Sequence, residues 1–129
     1  MKRLQTALAL AQKWERALAP YCERICIAGS IRRRKELVKD IEICCIPKTI
    51  VYEDVQLFSS EVRTQRHQGF IDTLKDSDEL MVEMGNAATG KYVKCMLVGH
   101  DIRMDVFILT PDNWGYLLAI RTGPAEYSH

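Results

Sequence analysis

Three carboxylates at two places in the chain have a spacing that can build a cation site. Asp40 and Glu42 lie two residues apart in an alternating polar and apolar segment, and Asp105 lies in the middle of a second apolar segment. Residues i and i+2 of a β-strand point to the same face of a sheet, so a strand would direct Asp40 and Glu42 the same way. If the two segments are neighbouring strands, the three carboxylates share one spot.

A divalent cation is the natural partner for such a group. Like charges at close range raise one another's pKa unless a cation compensates them. Mg²⁺ prefers oxygen ligands and keeps waters and substrate phosphates around it. A pair of such ions can polarise the attacking and leaving oxygens of an in-line phosphoryl displacement. A simpler alternative stays open, because Asp-x-Glu on a strand is also typical of the solvent face of a half-buried sheet.

A turn upstream of the first pair favours phosphate chemistry. Gly29 and Ser30 follow a predicted strand and precede the most basic run of the chain, Arg32 to Lys35. Backbone N–H groups in such a turn form an anion-binding nest, to which a serine hydroxyl adds a donor. The planar guanidinium of Arg33 can bind the same phosphates. Taken alone, the basic run is more typical of a solvated loop.

Hydrophobic periodicity predicts the elements that position these groups. The predicted helices span residues 3–18, residues 65–83 and the segment from Pro111 to the break at Gly123-Pro124. The predicted strands span residues 24–28, 40–46, 92–98 and 102–109. Residues 99–101 predict a hairpin turn, and residues 48–64 are left unassigned. In the second helix the predicted buried positions are Phe70, Ile71, Leu74, Leu80 and Met81. This order of elements favours an α+β fold with a mixed or antiparallel sheet flanked by helices.

Composition narrows the class of protein. The 129 residues suit one domain, and 18 Lys plus Arg against 17 Asp plus Glu argue against a general polycationic coat for nucleic acid. The five cysteines contain no CxxC pair and favour a reduced, intracellular and therefore cytoplasmic setting. Scattered histidines argue against zinc, and the absence of a long apolar run argues against a membrane span.

Three segments, in order, resemble the signature of the nucleotidyltransferase superfamily. They are Gly29-Ser30-Ile31-Arg32-Arg33, then Asp40-Ile41-Glu42, then Arg103-Met104-Asp105-Val106. Within that superfamily they most resemble the palm of DNA polymerase family X, the DNA polymerase beta-like enzymes. In that palm a Gly-Ser or Gly-Gly turn precedes Phe-Arg-Arg, an Asp-x-Asp pair follows on the next strand, and a third Asp comes later.

The resemblance implies a role for each matching residue. Asp40 and Glu42 would bind both a nucleotide metal and a catalytic metal, and Asp105 would bind the catalytic metal near the attacking 3′-hydroxyl. The metals would be two Mg²⁺ ions, with Mn²⁺ as an alternative. Arg103 would orient Asp105 close to the primer end. The substrates would be a nucleoside triphosphate and a DNA primer or primer–template. The implied nucleotide-binding residues are Gly29, Ser30, Arg33, Thr122 and Gly123.

The end of the chain extends the resemblance to about residues 1–127. Gly115, Leu117, Leu118 and Thr122-Gly123 resemble the passage from the family's palm into its thumb. The implied domains are a palm over residues 1–110 and a truncated start of a thumb-like helical segment over residues 111–129. We expect a missing thumb or a partner chain beyond His129.

Two departures from the family pattern concern individual residues: one is at position 42 and the other is at the pair 120–121. Glu42 stands where the family usually has Asp, so the metal geometry or the rate is expected to change, since Mg²⁺ demands near-ideal octahedral geometry. Ile120-Arg121 replaces the usual aromatic pair beside the nucleotide sugar, so the preference between deoxyribose and ribose is open.

Two other hypotheses remain. A small nucleotidyltransferase acting on protein, RNA or a small molecule shares the Gly-Ser and Asp-x-Asp-like motifs, although the palm-to-thumb segment from Trp114 to Gly123 favours the polymerase-like alternative. An inactive nucleotide- or DNA-binding module is consistent with Glu42 and with the missing thumb.

Overall fold

The computed structural model describes residues 2–115, so Thr122, Gly123 and nearly all of the predicted thumb-like segment lie outside the described residues. Within residues 2–115, no helix is long and apolar enough to cross a membrane. In chain order the elements are β1 (Lys2–Arg3), α1 (Leu4–Leu18), β2 (Cys22–Ala28), α2 (Gly29–Arg32), β3 (Leu37–Val38), β4 (Asp40–Pro47), β5 (Thr49–Val55), β6 (Ser60–Arg66), α3 (Gln68–Lys75), β7 (Leu80–Gly85), β8 (Tyr92–Leu97) and β9 (Arg103–Ile108).

A five-stranded sheet organises these elements in the spatial order β2-β4-β9-β8-β7. The two central strands β4 and β9 run parallel, and the other neighbouring pairs in this sheet are antiparallel. The sheet is therefore mixed, as predicted, and the protein is of the α+β class. The two segments that carry the candidate carboxylates are the neighbouring parallel strands.

One face of the sheet is covered by helices. The 3.6-residue period of α1 directs Ala7, Ala11, Trp14 and Leu18 inward. Side chains alternate between the two faces along β4 and β9, and the apolar ones point toward the same core as α1. The fully buried residues of these two strands in this core are Ile41, Ile43, Cys45, Met104 and Val106. Each fully buried side chain of this size contributes about 1.5–3 kcal/mol. This core fixes the sheet's orientation, so the alternate residues of β4 and β9 must point to the opposite face.

The predicted helix over residues 65–83 is wrong at both ends. Residues 65 and 66 close strand β6, and α3 ends at Lys75. Leu80 and the residues after it form β7, which pairs with β8 at the edge of the sheet. Leu80 is buried as predicted, but Met81 is 51% exposed because it belongs to an edge strand and not to a helix face.

The unassigned segment is a separate hairpin. Strands β5 and β6 pair antiparallel and form a two-stranded sheet of their own. Its faces leave Val51 and Val62 exposed, and its tip carries Leu57 and Phe58, which are 87% and 95% exposed. The hairpin contributes little to the core, whose buried residues come from the rest of the fold.

Candidate active site

The three candidate carboxylates lie on the face of the sheet opposite α1 and α3. Glu42 on β4 is the register partner of Asp105 on β9, and Asp40 is the partner of Arg103. Neighbouring strands are about 4.8 Å apart, so Glu42 and Asp105 stand side by side, with Asp40 one alternation away on the same face. Asp105 is 7% exposed, and Asp40 and Glu42 are partly exposed. The structure thus shows that β4 and β9 are neighbours, which the sequence analysis had to assume.

Asp105 is held by two side chains of strand β8. The hydroxyl of Tyr92 donates a hydrogen bond to Oδ1 of Asp105 at 2.6 Å. Nζ of Lys94 lies 3.9 Å from the same oxygen, because Lys94 is the register partner of Asp105. The ring of Tyr92 also packs on Phe107, with centroids 5.2 Å apart. These contacts explain how a nearly buried carboxylate is tolerated mid-strand, and sequence analysis places neither Tyr92 nor Lys94 in the site.

Arg103 is hydrogen-bonded to Glu83 in this structure, and its implied role of orienting Asp105 stays a prediction. Its Nε donates to Oε1 of Glu83 at 2.6 Å, and its Nη2 lies 3.4 Å from Oε2. This hydrogen bond raises the pKa of the exposed Arg103 guanidinium. Glu83 reaches Arg103 from the register shift between Val82 and Met84 in β7. A bulge of this kind re-aims a side chain.

The Gly29–Ser30 turn lies directly against Glu42. Ala28, the last residue of β2, is the register partner of Glu42. Gly29 then adopts φ +65°, and a Cβ atom at this position would lie 1.7 Å from Oε2 of Glu42. Only glycine combines this backbone conformation with so close an approach. The predicted turn and the predicted carboxylate pair therefore adjoin in the structure.

The predicted phosphate-binding turn is a single helical turn, α2. The backbone N–H of Arg33 donates to the carbonyl of Gly29 at 3.0 Å, and that of Lys35 donates to the carbonyl of Ser30 at 2.9 Å. These backbone hydrogen bonds form a tight turn immediately after β2. Ser30 and Arg33 are partly exposed, and they belong to or directly follow the helical turn whose first residue, Gly29, lies against Glu42.

The resulting site is a row of residues across four strands. From β2 to β8 the register partners are Ala28, Glu42, Asp105 and Lys94. All the candidate ligand atoms are carboxylate oxygens, which are the donors that Mg²⁺ and Mn²⁺ prefer. Among residues 2–115, no three His, Cys, Asp or Glu side chains converge closely enough to form a metal-binding group. The two-metal site therefore stays a prediction, with a donor set of suitable chemistry on one face.

Comparisons with known proteins do not identify a family for this chain. No family model matches the chain, and no curated protein matches it. The resemblance to the family X palm therefore remains a prediction from Gly29–Arg33, Asp40–Glu42 and Arg103–Val106, and the chemistry of the site must be inferred from the arrangement of these residues.

Proposed function

We propose that this protein is a nucleotidyltransferase with a polymerase beta-like palm. It would transfer a nucleoside monophosphate from a nucleoside triphosphate to a nucleic-acid 3′-hydroxyl, with release of pyrophosphate. The observation that carries the proposal is the in-register pair of Glu42 and Asp105 on adjacent parallel strands. Asp40 on the same face and the turn at Gly29 against Glu42 support it, because a phosphate-binding turn and a carboxylate group must adjoin for this chemistry.

The carboxylates Asp40, Glu42 and Asp105 are the residues that would hold Mg²⁺ or Mn²⁺. When bound, such ions neutralise the phosphates and polarise the attacking and leaving oxygens. Asp105 would bind the catalytic metal, and both Tyr92 and Lys94 contact its Oδ1. Its Oδ2 is then the oxygen that can serve a ligand or accept the proton of the attacking hydroxyl.

The other residues of the site position the substrates. The hydroxyl of Ser30 and the guanidinium of Arg33 would bind the β- and γ-phosphates, because both residues belong to the turn at Gly29 that adjoins Glu42. Gly29 lets this turn approach the carboxylates without a side chain between them. Tyr92 and Lys94 fix the rotamer of Asp105, so its charge needs little reorganisation during the reaction.

Incorporation of a labelled nucleotide tests this function. We expect Mg²⁺-dependent extension of a DNA primer, with removal of activity by Asp105→Asn. Single-stranded DNA, a primer–template duplex, RNA and a protein acceptor should be compared in parallel. Labelling of protein or RNA with no labelling of DNA would favour the small nucleotidyltransferase, and undiminished DNA extension by Asp105→Asn would contradict the role of Asp105.

A binding module without turnover is the second candidate, and one contact favours it. The ammonium of Lys94 lies 3.9 Å from Asp105, so this carboxylate already has a cation beside it. Calorimetric titration with a nucleoside triphosphate, with and without Mg²⁺, separates the two functions when it is combined with the labelling assay. Tight binding without release of pyrophosphate would favour the binding module.

A further inference from the structure

Two cysteines face each other across the first two strands of the sheet. Cys26 on β2 is the antiparallel register partner of Cys44 on β4. Such partners have Cα atoms about 4.5–5.5 Å apart, which lies within the range of about 4.4–6.8 Å that a disulfide requires. The two thiols are also hydrogen-bonded to each other, and neither cysteine is in a disulfide. The backbone therefore already has the spacing of a cross-strand disulfide.

The two thiols differ in their access to solvent. Cys44 is fully buried, whereas Cys26 is partly exposed at the edge of the smaller apolar cluster on the carboxylate face. The hydrogen bond from Cys44 lowers the pKa of the Cys26 thiol, with a smaller contribution from the charge of Arg32, while burial and Glu15 oppose the change. Cys26 is thus the member of the pair that a small oxidant can reach.

A second thiol pair in the same two strands provides an internal comparison. Cys22 and Cys45 are also hydrogen-bonded, but both are buried in the helix-covered core. The register partner of Cys22 is Pro47, and a register shift follows Cys22. The Cys22–Cys45 pair therefore lacks both the direct cross-strand opposition and the solvent access of Cys26 and Cys44.

We propose that Cys26 and Cys44 form an oxidisable dithiol that a hydroperoxide converts into a reversible cross-strand disulfide. The Cys26 thiolate attacks one peroxide oxygen, the O–O bond breaks, and a sulfenic acid and hydroxide form. Sγ of Cys44 then attacks Sγ of Cys26, the S–O bond breaks, and the departing hydroxide takes the thiol proton of Cys44. Two thiols lose two electrons and two protons overall, and hydrogen peroxide becomes two waters.

The disulfide would form next to the candidate site. Cys44 lies two residues beyond Glu42 on the same face of β4, and its partner on β9 is Phe107, which packs on Tyr92. The bond would fix β2 against β4 beside the row that contains Glu42 and Asp105. An effect on nucleotide transfer rests on the proposed function, whereas formation of the bond does not.

Peptide mapping tests the proposal directly on the full chain. The protein is treated with hydrogen peroxide, remaining thiols are blocked with N-ethylmaleimide, and the chain is digested with trypsin. Cleavage after Lys and Arg places Cys22, Cys26 and Cys44 in the separate peptides 17–24, 25–32 and 40–48. We expect a linked species of peptides 25–32 and 40–48 as the main product, its loss on treatment with dithiothreitol, and a decrease from five blocked thiols to three.

Single variants assign the bond and act as controls. Cys44→Ala should abolish the linked species and leave Cys26 as a sulfenic or sulfinic acid, and Cys26→Ser, at a partly exposed position, should abolish it without disturbing the core. Cys22→Ala should leave the linked species unchanged. A main product that joins peptides 17–24 and 40–48, full alkylation of Cys26 after peroxide, or persistence of the linked species in Cys44→Ala would overturn the proposal.

Discussion

The residue with the most consequential surroundings is Asp105. A carboxylate that is 7% exposed is costly unless hydrogen bonds and a nearby cation compensate its charge. Tyr92 and Lys94 provide both at Oδ1. Asp105 is therefore held in one orientation by its contacts at Oδ1, and these contacts explain how an acidic residue is accommodated in an otherwise apolar strand.

Replacing Tyr92 with Phe tests this support. The variant keeps the ring that packs on Phe107 and removes the donor to Asp105, so we expect a loss of about 2 kcal/mol in the free energy of unfolding, measured by urea denaturation. Tyr52→Phe, at a hairpin position that is 41% exposed, is the matched control and should change stability by less than about 0.5 kcal/mol. Equal effects of the two substitutions would argue against the support of Asp105 by Tyr92.

Gly29 gives a second test at the scale of one residue. Gly29→Ala places a Cβ atom into Oε2 of Glu42 and strains a backbone of φ +65°. We expect a loss of stability and a clear decrease in nucleotide transfer, because Glu42 must move.

Gly99→Ala is the matched control for Gly29→Ala. Gly99 has φ +84° and nothing within 4 Å of the added atom, so this variant should lose only the backbone term of roughly 1–2 kcal/mol and keep its activity. If both variants reduce nucleotide transfer equally, the close approach of Gly29 to Glu42 is not the cause of the reduced activity.

At the scale of elements, the β5–β6 hairpin and the helix α3 differ in what they contribute. Phe58 at the hairpin tip is 95% exposed, whereas Phe70 in α3 is fully buried. We expect Phe58→Ser to change the free energy of unfolding by less than about 0.5 kcal/mol and Phe70→Ala to lower it by about 3–5 kcal/mol. Denaturant titration of both variants checks the difference, and a large loss for Phe58→Ser would show that the hairpin tip is packed against something.

Strong periodicity made some elements predictable from sequence. The alternation from Asp40 to Ile46 and the helical period of residues 3–18 correspond to β4 and α1 with small changes at their ends. The prediction of a helix over residues 65–83 was wrong because Leu80 continues the apolar pattern beyond Ser77 and Asp78, where the helix has already ended. Pairing with β8 determines that the segment from Leu80 is a strand. Tertiary contacts override local pattern in edge strands.

The hairpin was missed for a different reason. Residues 49–55 are rich in the β-branched and aromatic residues that strands favour, but the tip, Gln56 to Ser59, contains no Gly, Asn or Pro to indicate a tight turn. The two strand segments therefore lacked the turn residues between them that usually identify a hairpin.

The contacts of the site were harder to predict than its carboxylates. A turn centred on His100, as predicted, would pair Lys94 with Val106, whereas the observed register pairs Lys94 with Asp105. A shift of one residue moves a side chain to the other face of a sheet. The sequence therefore did not predict that Tyr92 and Lys94 lie beside Asp105. The bulge that brings Glu83 to Arg103 has no recognisable sequence pattern either.

At the scale of the whole molecule, the two faces of the sheet have different roles. Helices α1 and α3 cover one face and supply most of the core, while the other face carries the carboxylates and a smaller apolar cluster around Cys44 and Leu109. The near balance of 18 basic and 17 acidic residues gives the molecule little overall attraction for nucleic acid. Under the proposed function, binding of a nucleic-acid acceptor would therefore depend on local groups such as the basic run from Arg32 to Lys35.

The proposed transfer is tested most directly by pyrophosphate release and primer extension in one reaction containing nucleoside triphosphate, DNA primer and Mg²⁺. The wild-type chain should extend the primer and release pyrophosphate only when the metal is present. Asp105→Asn should lower the rate by at least about 100-fold, and Asp78→Asn, an exposed loop position, should leave it unchanged. Transfer that persists at the wild-type rate in Asp105→Asn, or in the presence of a metal chelator, would contradict the proposed function.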